Sequence, residues 1–280
     1  MPNEADTCRR FVVPRLQAAG WDTEPHRLNE QVTFTDGRII VTGQRGRRRP
    51  GKRADYILRY RPDMPIAVVE AKPTYASPGD GLQQAKEYAE ILGLKFAYAT
   101  NGEHIIEFDY LTGQEREIDT FPTPDELWTR LTAGEKLAPE AAELLLTPNC
   151  RVDGKPPRYY QEIAINRAVQ AVVQGKRRIL LTMATGTGKT LVAFQICWKL
   201  WSSRWNRSCL PPACCAENPF SARSAADSDP PTAGKDSGRS GTEKGFSVQQ
   251  AYEHRRPRIL YLADRNILID DPMAKTFTPF

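Results

Sequence analysis

The chain has no apolar run near the roughly 18 residues that a membrane helix needs. Its opening, Met1-Pro2-Asn3-Glu4-Ala5-Asp6, lacks the basic-then-apolar pattern of a secretory leader. Six cysteines (Cys8, Cys150, Cys197, Cys209, Cys214 and Cys215) are scattered, and no two form Cys-x-x-Cys. That argues against a zinc ribbon, a redox pair or a disulfide framework, and points to reduced thiols in a cytoplasmic protein. What is present is enough for packed cores: 40% hydrophobic residues in 280, a length suited to two domains. The net charge of +5 leans towards an anionic partner.

The most informative stretch is Met183-Ala184-Thr185-Gly186-Thr187-Gly188-Lys189-Thr190. An apolar run, Ile179-Leu180-Leu181, precedes it and predicts a buried strand. Leu191 to Ile196 opens a helical pattern after it. Strand, glycine-rich turn, Gly-Lys-Thr and helix form a phosphate-binding loop. Its glycines let backbone N–H groups and the helix's positive end approach phosphate oxygens. Thr185, Gly186, Thr187 and Gly188 would cradle ATP, Lys189 would reach its outer phosphates, and the Thr190 hydroxyl would bind Mg²⁺. Met183 stands where the usual pattern has its first glycine. The form without that glycine resembles the first motif of superfamily 2 helicases and translocases.

A second constellation lies earlier. Asp55 to Tyr60 and Ile66 to Lys72 flank a Pro-bounded turn and predict a β-hairpin. Side chains alternate along a strand, so Glu70 and Lys72 share a face. Register puts Asp55 opposite residue 70 or 71. Two carboxylates and an ammonium thus converge. Asp55 and Glu70 can hold Mg²⁺ through oxygen, and Lys72 can orient the water that attacks a phosphodiester. Gly81 to Leu92 predicts an amphipathic helix with Gln84 and Tyr88 on one face. The run Arg45-Gly46-Arg47-Arg48-Arg49-Pro50-Gly51-Lys52-Arg53 predicts a loop that contacts DNA phosphates, chiefly through Arg47, Arg48, Arg49 and Arg53.

The rest of the chain is read more coarsely. Glu4 to Ala19 predicts a helix kinked at Pro14 and ended by Gly20. Arg38 to Thr42 predicts a strand. Lys95 to Thr100 and Ile105 to Phe108 predict another hairpin. Prolines punctuate residues 120–155, the expected connection between domains, with short helices at Asp125–Leu131 and Pro139–Leu146. A helix is expected from Arg158 to about Val173. Ser208 to Gly245, rich in Ser, Ala, Pro and Gly, predicts a disordered or mobile insert at about 208–250. Arg258 to Arg265 predicts a strand that leaves into a loop.

Asp55 followed by Glu70-Ala71-Lys72 resembles the PD-(D/E)xK nucleases, with Ala54 where that pattern has proline. Gln84-x-x-x-Tyr88 is similar to the third motif of their RecB-like branch. Gln161 resembles the adenine-reading glutamine of superfamily 2 motors, with Tyr159 or Tyr160 to stack on the base. Leu262-Ala263-Asp264-Arg265-Asn266 resembles their Ia motif, in which Arg265 would touch DNA. Taken together with Glu4-Ala5-Asp6-Thr7, these motifs resemble the N-terminal part of the restriction subunit of type I restriction–modification enzymes. The resemblance covers nearly all the chain except about 208–250.

It implies an α/β protein: a PD-(D/E)xK nuclease-like mixed sheet domain over 1–150, then an incomplete RecA-like P-loop domain over 151–280. It implies a type I site-specific deoxyribonuclease: Mg²⁺-dependent cleavage of double-stranded DNA, coupled to ATP-driven translocation, in a complex with methylation and specificity subunits. Asp55, Glu70 and Lys72 would be the nuclease residues, supported by Gln84 and Tyr88. Gln161, Gly188, Lys189 and Thr190 would bind ATP. The Walker B motif and second motor lobe are not in the sequence, so the chain is expected to be part of a longer protein or a truncated gene product, without ATPase activity alone. The alternatives are a RecB-like repair nuclease–helicase fragment and a non-catalytic remnant.

Overall fold

The computed structural model describes residues 8–35, 39–42, 45–48, 50–77, 79–151 and 156–205, with the backbone alone for 39–48. The expected insert at 208–250, the Ia-like segment with Arg265, Arg49 and the Glu4–Thr7 motif lie outside them. The protein is α/β. A π-helical turn at Cys8–Val12 runs into α1 (Val13–Ala18), with Pro14 in the first α-turn. There its missing N–H costs nothing, so proline starts the α-helix instead of kinking a longer one. Gly20, at φ 92°, closes it: Gly20 N–H reaches Gln17 O and Trp21 N–H reaches Leu16 O.

Six strands form one mixed sheet in the order β1-β4-β5-β6-β7-β8. They are β1 (Arg27–Phe34), β4 (Lys52–Arg61), β5 (Met64–Ala71), β6 (Phe96–Thr100), β7 (Ile105–Asp109) and β8 (Gln114–Ile118). All neighbours are antiparallel except β5 and β6, which α2 (Gly79–Leu92) connects. Between β1 and β4, β2 (Ile39–Thr42) and β3 (Arg45–Arg48) pair as a separate ribbon. The basic run expected as a loop is therefore partly strand: Arg45 to Arg48 pair back on Thr42 to Ile39. Once Ile39–Thr42 is extended, pairing with it lets the arginine backbone satisfy its N–H and C=O groups.

Alternation sorts the sheet into two faces. Tyr56, Leu58, Val69, Phe96 and Tyr98 face α1 and α3 (Pro124–Gly134), around Trp21 and Leu127. Ile57, Val68 and Ala97 face α2 at Ala85 and Ala89. Small residues on that second face let α2 lie close to the strands. That proximity brings Gln84 and Tyr88 over the ends of β4 and β5.

A third cluster joins α4 (Pro139–Leu145), α5 (Tyr159–Val173) and α6 (Lys189–Ser202) through Leu144, Leu145, Ile165, Val169 and Val192. The run Ile179-Leu180-Leu181, expected as a buried strand, is neither: it is irregular, and Leu180 is 90% exposed. A continuous apolar run forms a strand where a sheet pairs with it and covers its faces, and among the described residues no strand pairs with it.

Candidate nuclease centre and phosphate loop

The hairpin β4–β5 turns at Pro62 and Asp63, and its register sets Tyr56 opposite Val69. One residue further, Asp55 and Glu70 stand opposite each other, and there the strands stop bonding backbone to backbone. Asp55 N–H donates to Glu70 Oε1 (3.3 Å) and Ala71 N–H to Asp55 Oδ2 (2.9 Å). The two carboxylates take the place of ladder carbonyls, so each is anchored on the other's strand. Both are buried.

From above, α2 supplies Gln84. Its Nε2 donates to Glu70 Oε2 (2.9 Å) and to the Tyr88 hydroxyl (3.0 Å), while its Oε1 accepts from Lys72 Nζ (2.9 Å). Asp55, Glu70, Lys72, Gln84 and Tyr88 thus form one hydrogen-bonded cluster. A single amide fixes a carboxylate, an ammonium and a phenol at once. Burial raises the Tyr88 phenol above its ordinary value, against the lowering effect of the Gln84 hydrogen bond. Tyr88 keeps its proton and can donate it. Phe34 meets Tyr88 edge-on at 5.0 Å, and the Lys52 ammonium sits 5.6 Å from its ring centre. Lys52 also pairs with Glu87.

Arg53 is exposed on β4, two residues before Asp55. Arg47 and Arg48 are on β3, described by backbone only.

Sequence reasoning passed over one member of the centre. Gln31, on edge strand β1, lies opposite Asp55, and its Nε2 donates to Asp55 Oδ1 (3.2 Å). The β1–β4 pairing runs Glu30↔Tyr56 and Val32↔Ala54 but skips Gln31. Its backbone has φ 53°, the left-handed region, which costs a non-glycine residue about 1–2 kcal/mol.

No group of three or more His, Cys, Asp or Glu side chains gathers for a metal among the described residues. The donor set that does fit a hard cation is the Asp55–Glu70 pair, two carboxylates held side by side with oxygens already oriented. The Thr190 hydroxyl belongs to the other site.

There, α6 begins at Lys189 with Gly188 as its N-cap, in the left-handed region at φ 81°; Gly186 is at φ 77°. A Cβ on Gly186 would meet nothing within 4 Å, so the loop's outer face is open to a ligand. A Cβ on Gly188 would come within 2.5 Å of Gln161 Nε2. That amide is bonded to Thr187 O at 2.8 Å, and its other end accepts from Arg158 N–H at 2.9 Å. Gln161 therefore caps α5 and braces the loop from beneath, and both ends of its amide are engaged within the chain. Thr187 Oγ1 donates to Ala184 O (2.6 Å), and Lys189 Nζ to Met183 O (3.3 Å), which draws the lysine over the loop.

Tyr159 is turned the other way. Its hydroxyl donates to Thr35 O (2.7 Å) and accepts from Thr35 N–H (3.2 Å), and its ring lies edge-on to Phe34 at 6.2 Å. Tyr160, the other tyrosine offered for base stacking, is half-buried, lies edge-on to Tyr159 at 5.4 Å and accepts from Arg158 Nη1 (3.1 Å). Two further contacts tie α5 to the hairpin. Arg59 makes a bidentate pair with Glu162 (2.6 and 3.1 Å), and Asn166 Nδ2 donates to Asp63 O (3.0 Å).

Comparison with known proteins gives a consistent picture. The family described as "Type III restriction enzyme, res subunit" matches residues 154–210. The EcoAI endonuclease subunit of a type I restriction enzyme of Escherichia coli is 35% identical over 285 residues, covering 99% of this chain and 29% of that protein. The EcoKI endonuclease subunit of E. coli strain K12 is 27% identical over 248 residues, covering 70% of this chain and 21% of that protein. A solved fragment assigned to the HsdR subunit of a type I restriction enzyme from Vibrio vulnificus YJ016 is 60% identical. It superposes with a TM-score of 0.67, covering 74% of this chain and 39% of that one. The chain spans less than a third of the length of the two curated relatives.

Proposed function

We propose that this chain, a homologue of the endonuclease (HsdR) subunits of type I restriction enzymes, carries the DNA-cleaving centre and the ATP-binding loop of such an enzyme. The observation that supports this most is the five-residue cluster. Asp55, Glu70, Lys72, Gln84 and Tyr88 come from two strands and a helix, and one amide joins four of them.

Asp55 and Glu70 would hold Mg²⁺, which when bound supplies charge neutralisation at a phosphodiester and lowers the pKa of water. The chain's own residues do the rest. Lys72, held by Gln84, would orient the water whose oxygen bonds to phosphorus, and its ammonium would offset the negative charge that grows as the P–O bond to the leaving sugar oxygen breaks, the proton released by the water and the one gained by the sugar oxygen being exchanged with solvent. Tyr88 retains its proton and steadies Gln84. Arg53, with the arginines of the β2–β3 ribbon, holds the DNA backbone, an electrostatic contact that carries no sequence information. In the motor portion Lys189, Thr190 and the left-handed glycines would bind Mg²⁺ and the phosphates of ATP, as the spacing implies. Duplex DNA, methylation and specificity subunits, and ATP-driven translocation belong to the whole enzyme that this reading invokes.

The test is Mn²⁺ binding by calorimetry, with cleavage measured after assembly with the other subunits. Asp55→Ala and Glu70→Ala should each weaken Mn²⁺ binding by more than tenfold and abolish cleavage. Lys72→Ala should abolish cleavage and leave Mn²⁺ bound. Unchanged Mn²⁺ affinity in both carboxylate variants would remove the metal assignment.

A further inference from the structure

Both carboxylates of the centre accept hydrogen bonds from a backbone N–H and from a glutamine amide. Glu70 accepts from one backbone N–H, that of Asp55, and from one glutamine amide, Gln84. Asp55 accepts from one backbone N–H, that of Ala71, and from one glutamine amide, Gln31. Gln84 reaches in from the helix side and Gln31 from the sheet edge. An ionised carboxylate only accepts hydrogen bonds, so in both cases the NH₂ end must face it.

The two glutamines differ in their backbones. Gln84 sits in a regular helix. Gln31 is in the left-handed region at φ 53°, within a strand whose pairing resumes in the same register on both sides. Nothing in the hydrophobic core requires that turn, because Gln31 is exposed. A strained residue at one ladder position, opposite the carboxylate that its side chain reaches, is where strain accompanies a functional constraint.

We infer that Gln31 is a positioning residue of the candidate nuclease centre: its amide fixes the rotation of the Asp55 carboxylate so that Oδ1 stays available to a divalent cation. This rests on the reading of Asp55 and Glu70 as metal-holding carboxylates. Outer partners of metal ligands act by orienting the ligand, and their loss weakens metal affinity about 10- to 100-fold.

The experiment uses the 280-residue chain. Mn²⁺ affinity is measured by calorimetry, beside thermal melts, for the wild type, Gln31→Gly, Gln31→Ala and Asp55→Ala. Glycine relieves the left-handed strain and alanine keeps it, while both delete the amide. The expected result is that Gln31→Gly melts above Gln31→Ala, yet both variants bind Mn²⁺ about tenfold more weakly. If both Gln31 variants bind like the wild type while Asp55→Ala does not bind, the inference about Gln31 falls and the metal reading stands. If affinity is lost only in the variant whose melting point drops, Gln31 is structural and the inference also falls. If Asp55→Ala binds like the wild type, or the wild type does not bind, the metal reading fails and takes this inference with it.

Discussion

Gly188→Ala offers the sharpest test of how the phosphate loop is held, because two penalties at that position can be separated. The first is conformational. At φ 81° an alanine enters the left-handed region, at a cost of about 1–2 kcal/mol. The second is steric: the new Cβ would sit 2.5 Å from Gln161 Nε2, closer than any real Cβ approaches a neighbour. Gln161 has a flexible side chain, so it would move aside and give up its bond to Thr187 O. A hydrogen bond of this kind contributes about 0.5–1.5 kcal/mol. Gly188→Ala should therefore cost about 1.5–3.5 kcal/mol in all, by the sum of those two ranges.

Gly186→Ala is the control. Its φ is 77° but its Cβ would meet nothing within 4 Å, so only the first penalty applies. The smaller unfolded-state entropy of alanine, about 0.4–1 kcal/mol, acts equally at both glycines and cancels in the comparison. Urea unfolding can be followed by tryptophan fluorescence, to which Trp198 and Trp201 on α6 contribute two of the five tryptophans. In a Gln161→Ala background the clash has no partner, and Gly188→Ala should cost no more than Gly186→Ala. The coupling between positions 161 and 188 should be about 1 kcal/mol, the size of the broken bond. Equal costs of Gly188→Ala with and without Gln161 would refute the claim that this glutamine braces the loop.

The buried Lys199 predicts a pH effect. Burial pushes its ammonium down to about 8, while Asp63 and Glu162 oppose the shift. Between about pH 8 and 10.5 the unfolded chain keeps that proton and the folded chain does not, so stability should rise with pH, by up to about 3 kcal/mol. Below pH 8 the burial cost is present in full. In a denaturation series over pH 7–10.5, Lys199→Met should flatten this rise relative to the wild type; parallel curves would be the contrary result. Removing one partner of the Arg59–Glu162 pair, as in Glu162→Ala, should cost up to about 3–5 kcal/mol, because it leaves a largely buried guanidinium without a counter-charge and with only its bond to Pro62 O. Arg59→Met with Glu162→Leu should recover most of that in the same unfolding assay, and a double variant no better than the single would contradict it. Neutralising Arg47, Arg48 and Arg49 together should weaken DNA binding to every sequence alike. It should also reduce the salt slope by about 0.9 for each DNA phosphate no longer neutralised, as fluorescence anisotropy would show; an unchanged slope would make the basic ribbon a mere solvated face.

Elements with an internal periodicity were readable from the chain. The β4–β5 hairpin has a Pro-bounded turn and alternating apolar residues, and α2 has a clear apolar face. The Asp55-to-Glu70 register follows from the turn length, since a one-residue slip would turn Ile57 and Val68 out of the core. In the six-stranded sheet, the strands that escaped notice are the two edges. β1, Arg-Leu-Asn-Glu-Gln-Val-Thr-Phe, and β8, Gln-Glu-Arg-Glu-Ile, are mostly exposed and polar, as edges must be to avoid pairing with other chains. Polarity that protects an edge also erases the pattern by which a strand is recognised. The Ile179–Leu181 run shows the converse. Its apolar pattern predicts a strand, but a strand is a property of a pair, and a pattern in one segment does not say whether its partner is in place.

The same distinction governs the candidate site. Glu70-x-Lys72 and Gln84-x-x-x-Tyr88 are local spacings, so the face each pair shares is fixed by strand and helix geometry alone. That Gln84 bridges the two motifs depends on something else: Ala85, Ala89 and Ala97 are small enough to let α2 settle on the sheet. Gln31 has no spacing signal at all. Its part comes from a backbone turn at one position of an edge strand, and glutamine is not a residue that favours the left-handed region. Such a conformation arises only when the structure around it outweighs the strain. Here the pairing on both sides pins the backbone, and the Asp55 carboxylate gives the amide a charged acceptor. Charge-assisted hydrogen bonds are worth roughly twice neutral ones, which is of the order needed to offset a left-handed residue. Gln161 is another case of one side chain acting on two elements. Its spacing from the phosphate loop suggests a base-reading role, yet its amide joins the first turn of α5 to the loop itself. A nucleotide that engaged this amide would have to compete with Arg158 N–H and Thr187 O, so its affinity would depend on how firmly the loop is held without it.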